Sequence, residues 1–304
     1  MSKLYTFAKL LFTNPLEILN IIIYQYPKII KSDKIFLSLR YYLVFGKWMN
    51  WNKPLSYSEK LQWLKVNNRN PLYTTLVDKH AVKEWVANKI GNEHIIPTIG
   101  IWDNVEDINF DKLPNQFVLK CTHDSGGLCI CRDKSKLDIL KIKENLSMAM
   151  NRNYYYFGRE WPYKNVKPQI IAEKYMIDES GIELKDYKFF CFNGNPLYLF
   201  IATDRGKMNE EVKFDFYDIN FNHLDLKNGH PNSKNIIKKP KGFNKMLELA
   251  KILSADMPHV RIDFYDIDGN IYFGEYTFYH HSGFMPFEPE EWDYKFGELI
   301  KLPS

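Results

Sequence analysis

Two acidic residues near the C-terminus have a spacing that could bind a divalent cation. Asp263 follows Arg261 by two residues, and Glu275 comes after a turn at Asp268-Gly269-Asn270. If these three turn residues form a three-residue loop, Asp263 faces Glu275 and Arg261 faces Thr277 across a β-hairpin. Two opposed carboxylates need a compensating cation, and Mg²⁺ prefers oxygen ligands of this kind. The pattern therefore predicts a metal site.

Other arrangements of this hairpin would remove the metal site. A two-residue turn would place Asp263 opposite Gly274. Arg261 could also neutralise both carboxylates, or the two could lie solvated on the outer face of the sheet. A separate acidic pair, Asp266-Ile267-Asp268, spells the Asp-x-Asp with which metal-dependent glycosyltransferases bind a sugar nucleotide. Asp is also favoured at turns for conformational reasons alone.

A glycine loop upstream has the composition of a phosphate-binding hairpin. Strand-like residues from Phe117 to Lys120 precede Ser125-Gly126-Gly127, and a second strand-like run follows. Adjacent glycines let backbone N–H groups approach phosphate oxygens, and Lys120 could add a positive charge. The loop is not of the Walker type, because no Gly-Lys-Ser/Thr follows. An ordinary Ser-Gly-Gly turn beside a solvent-directed lysine explains the same pattern.

Two further charged residues interrupt apolar strand patterns. Lys188 alternates with Phe190 and Phe192, and a lysine in such a run needs an anionic partner. That partner is either Asp186, two residues away on the same face, or a nucleotide phosphate. Glu173 precedes a Tyr-Met step and could hydrogen-bond a ribose or a base edge. The alternative is an exposed strand glutamate.

Three cysteines and a histidine raise the question of zinc. The spacing Cys121-x-His123-x5-Cys129-x-Cys131 lacks the Cys-x2-4-Cys pair that zinc sites use. Alternation also places Cys129 and Cys131 on one strand face, where reduced cysteines behave as small apolar residues. Zinc is therefore a weaker hypothesis than magnesium.

Helix and turn signals position these residues on an antiparallel α+β scaffold. Four helices are predicted, opening at Ser56, at Thr75 (through Trp85, ending at Gly91) and at Ser135, and spanning 244–253. Strands are predicted over 116–120, 128–131 and 169–177, followed by hairpins that turn at Asn193-Gly194 and Asp268-Gly269-Asn270. Because short turns join these strands, an α+β fold is favoured over a doubly wound sheet.

Composition and charge limit the classes of protein to which this chain can belong. The 304 residues are 45% apolar with a net charge of +4, which favours a globular chain over a disordered or nucleic-acid-binding one. The first 60 residues carry nine basic and three acidic side chains. Their apolar run from Leu16 to Tyr26 is shorter than the about 20 residues of a spanning helix, and no cleavage site follows. We expect a cytoplasmic protein whose N-terminus packs on the body or contacts the inner face of a membrane.

Taken in order, the motifs resemble those of ATP-grasp enzymes. FVLKCTHDSGG, DYKFFCFNG, RIDFY and FGEYTFYHHSG are similar to the TupA-like (teichuronopeptide biosynthesis) ATP-grasp family, which is associated with polysaccharide assembly. The resemblance runs from about Trp51 to Leu302 and implies two antiparallel-sheet lobes that clasp a nucleotide. The implied segments are a basic helical region (1–74), a helix and strand segment (75–115), a small lobe with the glycine loop (116–175) and a large lobe with the metal site (176–304).

The resemblance also implies roles for individual residues. Arg261, at the transferred phosphoryl group, and Lys188 are the implied catalytic residues. The implied Mg²⁺ ligands are Asp263, Glu275 and Thr277; many ATP-grasp enzymes have asparagine in place of this threonine, so the number of metal ions stays open. The implied ATP contacts are Lys83, Lys120, Ser125, Gly126, Gly127, Glu173, Lys174, Met176 and Lys188. Candidates on the acceptor side are His123, Arg159, His280, His281 and Ser282, with packing between the lobes as the alternative for Arg159.

The activity implied by this set is that of an ATP-dependent carboxylate–amine ligase. Such an enzyme phosphorylates a carboxylate and lets an amine displace the phosphate, so it needs positioned cations and no protein nucleophile. The predicted product is an amide on a sugar or uronic acid, with a nucleotide sugar or polysaccharide intermediate as partner. The alternatives are a metal-dependent glycosyltransferase and a noncatalytic nucleotide-binding scaffold.

Overall fold

The computed structural model describes residues 15–124, 126–178, 181, 184–204, 211–235 and 237–303. Ser125, one of the implied ATP contacts, lies outside them. The helices are Pro15–Gln25 (α1), Asp33–Phe45 (α2), Tyr57–Asn67 (α3), Leu72–Val77 (α4), Ala81–Ile90 (α5), Ile139–Met150 (α6), Tyr155–Gly158 (α7), Phe243–Leu253 (α8) and Glu291–Leu299 (α9). Over the described ranges, none of them is long and apolar enough to cross a bilayer.

The strands form two large antiparallel sheets and one small one. They are Thr98–Trp102 (β1), Phe117–Cys121 (β2), Leu128–Cys131 (β3), Ile170–Lys174 (β4), Asp186–Phe192 (β5), Asn195–Thr203 (β6), Lys213–Asp218 (β7), His223–Leu224 (β8), Lys227–Asn228 (β9), His259–Ile267 (β10), Asn270–Thr277 (β11) and Phe287–Glu288 (β12). The orders are β1-β4-β2-β3, β11-β10-β5-β6-β7-β8 and β12-β9. The predicted antiparallel α+β class is confirmed, while the segment boundaries after 74, 115 and 175 stay predictions.

Each large sheet has its own hydrophobic core. The six-stranded sheet packs with α3, α5, α8 and α9 around a cluster that includes Phe190 and Phe296. The four-stranded sheet packs with α6 around Leu119 and Leu146, and α1 and α2 form a third cluster around Phe36. All seven residues of the central strand β5 are buried, so Lys188 is a buried charge held by the largest core.

The hairpin β10–β11 reaches the predicted register by a different route. Its turn has two residues, Asp268 and Gly269, both with positive φ, and Ile267 pairs with Asn270. The predicted three-residue loop was therefore wrong. A β-bulge at Gly274 then shifts the register by one residue, because a bulge sets two residues against one. Asp263 consequently still faces Glu275, and Arg261 faces Thr277, as predicted.

Two of the predicted helices begin at residues other than those expected. The capping box at Ser56 is present, and Gly91 ends α5 with φ 104°, both as expected. However, α5 begins at Ala81, where the Asp78 carboxylate accepts from the backbone N–H groups of His80 and Ala81, and Thr75 lies inside α4. Similarly, Asp138 rather than Ser135 caps α6. Both predicted starts were wrong: Asp78 has extended backbone angles and separates α4 from α5, and the Asp138 side chain accepts from the backbone N–H of Lys141 at the start of α6.

Candidate active site

A cleft opens between the two large sheets and divides into connected cavities. The first, about 480 Å³, is lined by Lys120 and Glu173 of the four-stranded sheet and by Lys188, Asp263 and Glu275 of the six-stranded sheet. The second, about 550 Å³, lies beyond it towards α2, α7 and the segment 279–282. Four residues line both: Lys79, Asp124, Lys188 and Glu275. The charged residues predicted from separate motifs thus meet at one junction.

The first charged cluster surrounds Glu173 on β4. One carboxylate oxygen of Glu173 lies 2.5 Å from Nζ of Lys83 on α5, and the other lies 2.6 Å from Nζ of Lys120 on β2. Burial alone would raise the pKa of Glu173, but the two ammonium groups outweigh it and lower the pKa. Two cations against one anion leave the cluster positive, which suits a phosphate-bearing ligand.

A small apolar cavity adjoins this cluster. It measures about 200 Å³, and its walls include Ile96, Val118, Tyr175, Met176 and Tyr265. Lys174 also lines it. Apolar walls with a few polar groups at the rim are typical of sites for planar ligands.

The second charged cluster surrounds Asp263 on β10. Arg261 donates from Nε to Oδ1 (2.7 Å) and from Nη2 to Oδ2 (2.8 Å) of Asp263, and its Nη2 also lies 3.0 Å from Oε1 of Glu275. Lys188 contacts Asp263 and lies 3.5 Å from Asp186. Asp186, the protein carboxylate considered above as the anionic partner of Lys188, is therefore close to it. Arg261 also neutralises the acidic pair, as the alternative interpretation allowed. Burial alone would raise the pKa of Glu275, but Lys188, Arg261 and Lys79 lower it to about 2.

The donor set at Asp263 fits a magnesium ion that would be shared with a nucleotide. Both carboxylates are hard oxygen ligands on adjacent strands, and the Glu275 side chain, 40% exposed, faces the cleft. Mg²⁺ commonly takes one or two carboxylates and completes its shell with phosphate oxygens and water. Within the described residues, no three His, Cys, Asp or Glu side chains form a metal-binding group. The hydroxyl of Thr277 lies 3.4 Å from Glu275.

A strained turn after β11 closes the second cavity. His281 and Ser282 have φ values of 46° and 57°, which side-chain-bearing residues seldom adopt without functional or structural constraint. Nδ1 of His280 lies 2.7 Å from Nη1 of Arg261. Because a guanidinium can only donate, that nitrogen of His280 carries no proton. Burial lowers the pKa of both histidines, that of His281 to about 4.

The buried side chains of Lys65 and Glu160 form hydrogen bonds with this turn. Ser282 donates its hydroxyl to Glu160, and its carbonyl oxygen accepts from Nζ of Lys65 at 2.7 Å. Burial lowers the pKa of Lys65 to about 7 and raises the pKa of Glu160. Gly158 has no room for a side chain, because a Cβ there would lie 1.8 Å from Oγ of Ser282. The turn is therefore fixed by α3 and by the chain after α7.

Two of the acceptor-side candidates lie away from the cavities. His123 is buried, with Nε2 3.1 Å from the carbonyl oxygen of Arg152. Arg159 is also buried, stacks 4.4 Å above Phe36 and donates to the carbonyl oxygen of Ile30 at 2.6 Å. Neither is among the described residues that line the two cavities. Arg159 packs against the α1–α2 region, and its place on the acceptor side or between the lobes stays a prediction.

The two glycines of the loop serve different purposes. A Cβ on Gly127 would lie 2.4 Å from Sγ of Cys121 and 2.8 Å from Cβ of Ala149, so this glycine lets α6 approach the hairpin. A Cβ on Gly126 would meet the flexible end of Arg152 at 3.1 Å and would lie in ordinary contact with Oδ2 of Asp124 at 3.6 Å. Gly126 lines the second cavity and Gly127 the first.

Several cavity residues have no role in the set implied by the motifs. Nζ of Lys79 donates to the carbonyl oxygen of Asp124 at 2.5 Å. Arg40 on α2 and Glu160 also line the second cavity. Aromatic side chains complete its walls: Tyr154, Phe157, Tyr163, Phe200, Phe214 and Tyr279.

The Asp-x-Asp pair performs local structural functions. Asp266 accepts from the backbone N–H groups of Gly242 (2.8 Å) and Gly269 (2.7 Å). Asp268 occupies the exposed turn and pairs with Lys241. This geometry favours turn formation over a site for a sugar nucleotide.

Comparisons with known proteins place the chain in a family. No curated protein gives a significant match. Among solved structures, the chain is similar to D-alanine–D-alanine ligase from Bacillus anthracis complexed with ATP (17% identity, TM-score 0.38, covering 66% of this chain and 53% of that one). It is also similar to D-alanine–D-alanine ligase from Helicobacter pylori (13%, 0.42, 80% and 69%). A third is ATP-grasp ligase PsnB complexed with minimal precursor, Mg and ADP (10%, 0.38, 73% and 57%).

The chain spans little more than half of the first of these structures. A family model described as TupA-like ATPgrasp matches residues 59–301, a range that contains both charged clusters and the strained turn. The resemblance seen in the motifs and the predicted ATP-grasp fold class are therefore confirmed. The chain belongs to the TupA-like ATP-grasp family.

Proposed function

We propose that the chain is an ATP-dependent carboxylate–amine ligase that forms an amide on a sugar or uronic acid during cell-surface polysaccharide biosynthesis in the cytoplasm. The observation that carries this proposal is the meeting of Lys188, Arg261, Asp263 and Glu275 where the two cavities join. A group transferred from one cavity to the other would have to pass these charges. Family membership supports the use of ATP.

In this proposal the first cavity holds ATP. Lys83 and Lys120 attract its phosphates, and Glu173 keeps both ammonium groups in place through its two carboxylate oxygens. The adenine ring occupies the apolar cavity beside Met176 and Lys174. The loop at Gly126 and Gly127 closes over the phosphates. With two lysines around one carboxylate, the cluster at Glu173 favours an anionic ligand over a neutral one.

Asp263 and Glu275, with Thr277 beside them, would hold Mg²⁺. When bound, the ion would neutralise phosphate charge as a Lewis acid. Glu275 is ready for this role because its low pKa keeps it ionised throughout the neutral range. Arg261 must then release at least part of its contact with the two carboxylates. The freed guanidinium is positioned to bind the phosphoryl group in transfer.

The second cavity is proposed to bind the carboxylate and amine substrates. Arg40, Lys79 and Arg152 supply positive charge for a carboxylate, and the aromatic walls suit the C–H face of a sugar ring. In the first step, a carboxylate oxygen bonds to the γ-phosphorus as its bond to ADP breaks. In the second, the amine nitrogen bonds to the acyl carbon, phosphate leaves, and the nitrogen loses a proton. Arg261 and Lys188 stabilise the developing negative charge in both steps.

The test is nucleotide preference followed by turnover. We expect ATP with Mg²⁺ to raise the melting temperature, and ADP release to require both a carboxylate and an amine from a panel of uronic-acid sugars and amino acids. Stabilisation by a UDP-sugar in place of ATP would support the glycosyltransferase. Tight ATP binding without turnover on any acceptor pair would support a noncatalytic scaffold.

A further inference from the structure

An apolar surface at the start of the described chain is not covered by other described residues. Leu19 and Ile22 of helix α1 and Tyr26 just after it are exposed, although Ile18 and Ile23 of the same helix are buried. The spacing of three and four residues places Leu19, Ile22 and Tyr26 on one face.

The surface continues through the α1–α2 connection. Tyr26, Ile29 and Ile35 are 60%, 70% and 60% exposed, which is unusual for three large apolar side chains within ten residues. We define the tip surface as Leu19, Ile22, Tyr26, Ile29 and Ile35 together with Lys28, Lys31 and Lys34.

The fold holds the tip surface outward. The buried guanidinium of Arg159 donates to the carbonyl oxygens of Pro27 and Ile30 from the protein side. These bonds fix the backbone on either side of Ile29, so that its side chain cannot turn into the core. The exposure of Ile29 is therefore a consequence of the hydrogen bonds from Arg159 to the backbone of this segment.

The charge of the tip surface is positive. Lys28, Lys31 and Lys34 are exposed, and the single acid between Leu19 and Ile35 is Asp33. The carboxylate of Asp33 is already paired with Arg69 at 2.6 Å and lies 3.6 Å from Arg159. The three lysines thus surround the apolar tip without a free acid of the same segment to offset them.

We propose that the tip surface docks on an anionic phospholipid bilayer. Exposed Ile and Tyr side chains flanked by lysines match the apolar and headgroup layers of a membrane surface. A segment of this length lies on a bilayer and does not span it. Charge complementarity favours the anionic bilayer over an apolar groove on a protein. Because α2 leads from the tip to Arg40 in the second cavity, docking brings that cavity close to the membrane.

The experiment is co-sedimentation of the full chain with vesicles, and it does not depend on ligase activity. We expect binding to phosphatidylcholine vesicles that contain phosphatidylglycerol, and little to phosphatidylcholine alone. High salt should weaken the binding. Replacing Lys28, Lys31 and Lys34 by glutamine should lower the partition coefficient about a hundredfold, at about fivefold per lysine.

A second variant tests the apolar component. The double change Ile29→Glu and Ile35→Glu should reduce partitioning about tenfold or more, while the melting temperature stays unchanged because both side chains are exposed. Leu140→Glu is the matched control, since Leu140 is 76% exposed on α6, and it should bind as the parent does. Absence of parent binding, equal binding to neutral vesicles, or undiminished binding of either tip variant would overturn the proposal. Binding of the tip surface to another protein in place of the vesicles would also overturn the proposal.

Discussion

Glu173 and Asp263 are two buried carboxylates that each contact two basic side chains, on opposite sides of one cleft. Glu173 lies between Lys83 and Lys120, and Asp263 lies between Lys188 and Arg261. Around Asp263, however, Glu275 and Asp186 add two more carboxylates. Among the residues named here, basic side chains outnumber carboxylates in the first, positive cluster, and carboxylates outnumber basic side chains in the second, negative cluster.

The two clusters make similar pairwise ion contacts, but they differ in the balance of acidic and basic side chains and so suit different ligands. A positive cluster binds phosphate without help, whereas a negative cluster binds a cation first. Lys79 lines both cavities between them. Together the two clusters are complementary to a nucleotide triphosphate with its divalent ion. The comparison also gives the buried acids a role on both sides of the cleft, although burying charge is costly.

The largest expected effect is on catalysis, at the negative cluster. Asp263→Asn should lower the rate of ADP release about a hundredfold to a thousandfold, because it removes both the implied metal ligand and the partner of Arg261. Asp268→Asn is the control, since Asp268 lies on the exposed turn. Glu275→Gln, at a more exposed side chain, should show the same loss with the fold intact. Full activity in both Asp263→Asn and Glu275→Gln would contradict the assignment.

At the positive cluster the expected effect is on stability as well as on ATP affinity. Glu173→Gln leaves Lys83 and Lys120 without their shared anion and should lower the free energy of unfolding by about 3 kcal/mol. Urea denaturation measures this loss. Glu288→Gln, at an exposed side chain, should be neutral. A loss no larger than that of the control would mean that the two lysines are solvated independently.

A smaller effect distinguishes packing from ligand binding in the glycine loop. Gly127→Ala should cost about 1–3 kcal/mol, because its Cβ would overlap Cys121 and Ala149. The Cβ of Gly126→Ala would approach the flexible end of Arg152 and touch Asp124 at an ordinary distance, so stability should be nearly unchanged. Thermal denaturation of the two variants gives the comparison. Equal melting temperatures would show that the hairpin can move away from α6 at little cost.

The smallest expected effect is on the acid limb of the stability curve. The pKa of Glu275 is about 2 in the folded chain, against an ordinary value of 4.5. The ionised group therefore stabilises the fold above pH 4.5, and this contribution disappears as the pH falls from 4.5 towards 2. Glu275→Gln should flatten the curve over that range, while Glu288→Gln should not. Melting temperatures measured against pH, with identical slopes in parent and Glu275→Gln, would refute the interpretation.

Local interactions explain what could be predicted. The Ser56 capping box and the Asn193-Gly194 turn depend on neighbours within a few residues, and both are present. The facing of Asp263 and Glu275 was also predicted, although the compensating bulge at Gly274 was not. That bulge depends on how β11 packs along β10, which turn chemistry alone does not specify.

By itself, the amino-acid sequence determined the α+β class, the hairpins and the set of charged residues, because periodicity, caps and turns act over short distances. Only the tertiary structure decided that Lys83 reaches Glu173, that Arg40 and Glu160 enter the second cavity, and that Arg159 instead anchors the tip. These partners are far apart along the chain. Their meeting depends on how helices and sheets pack, and no local spacing encodes that.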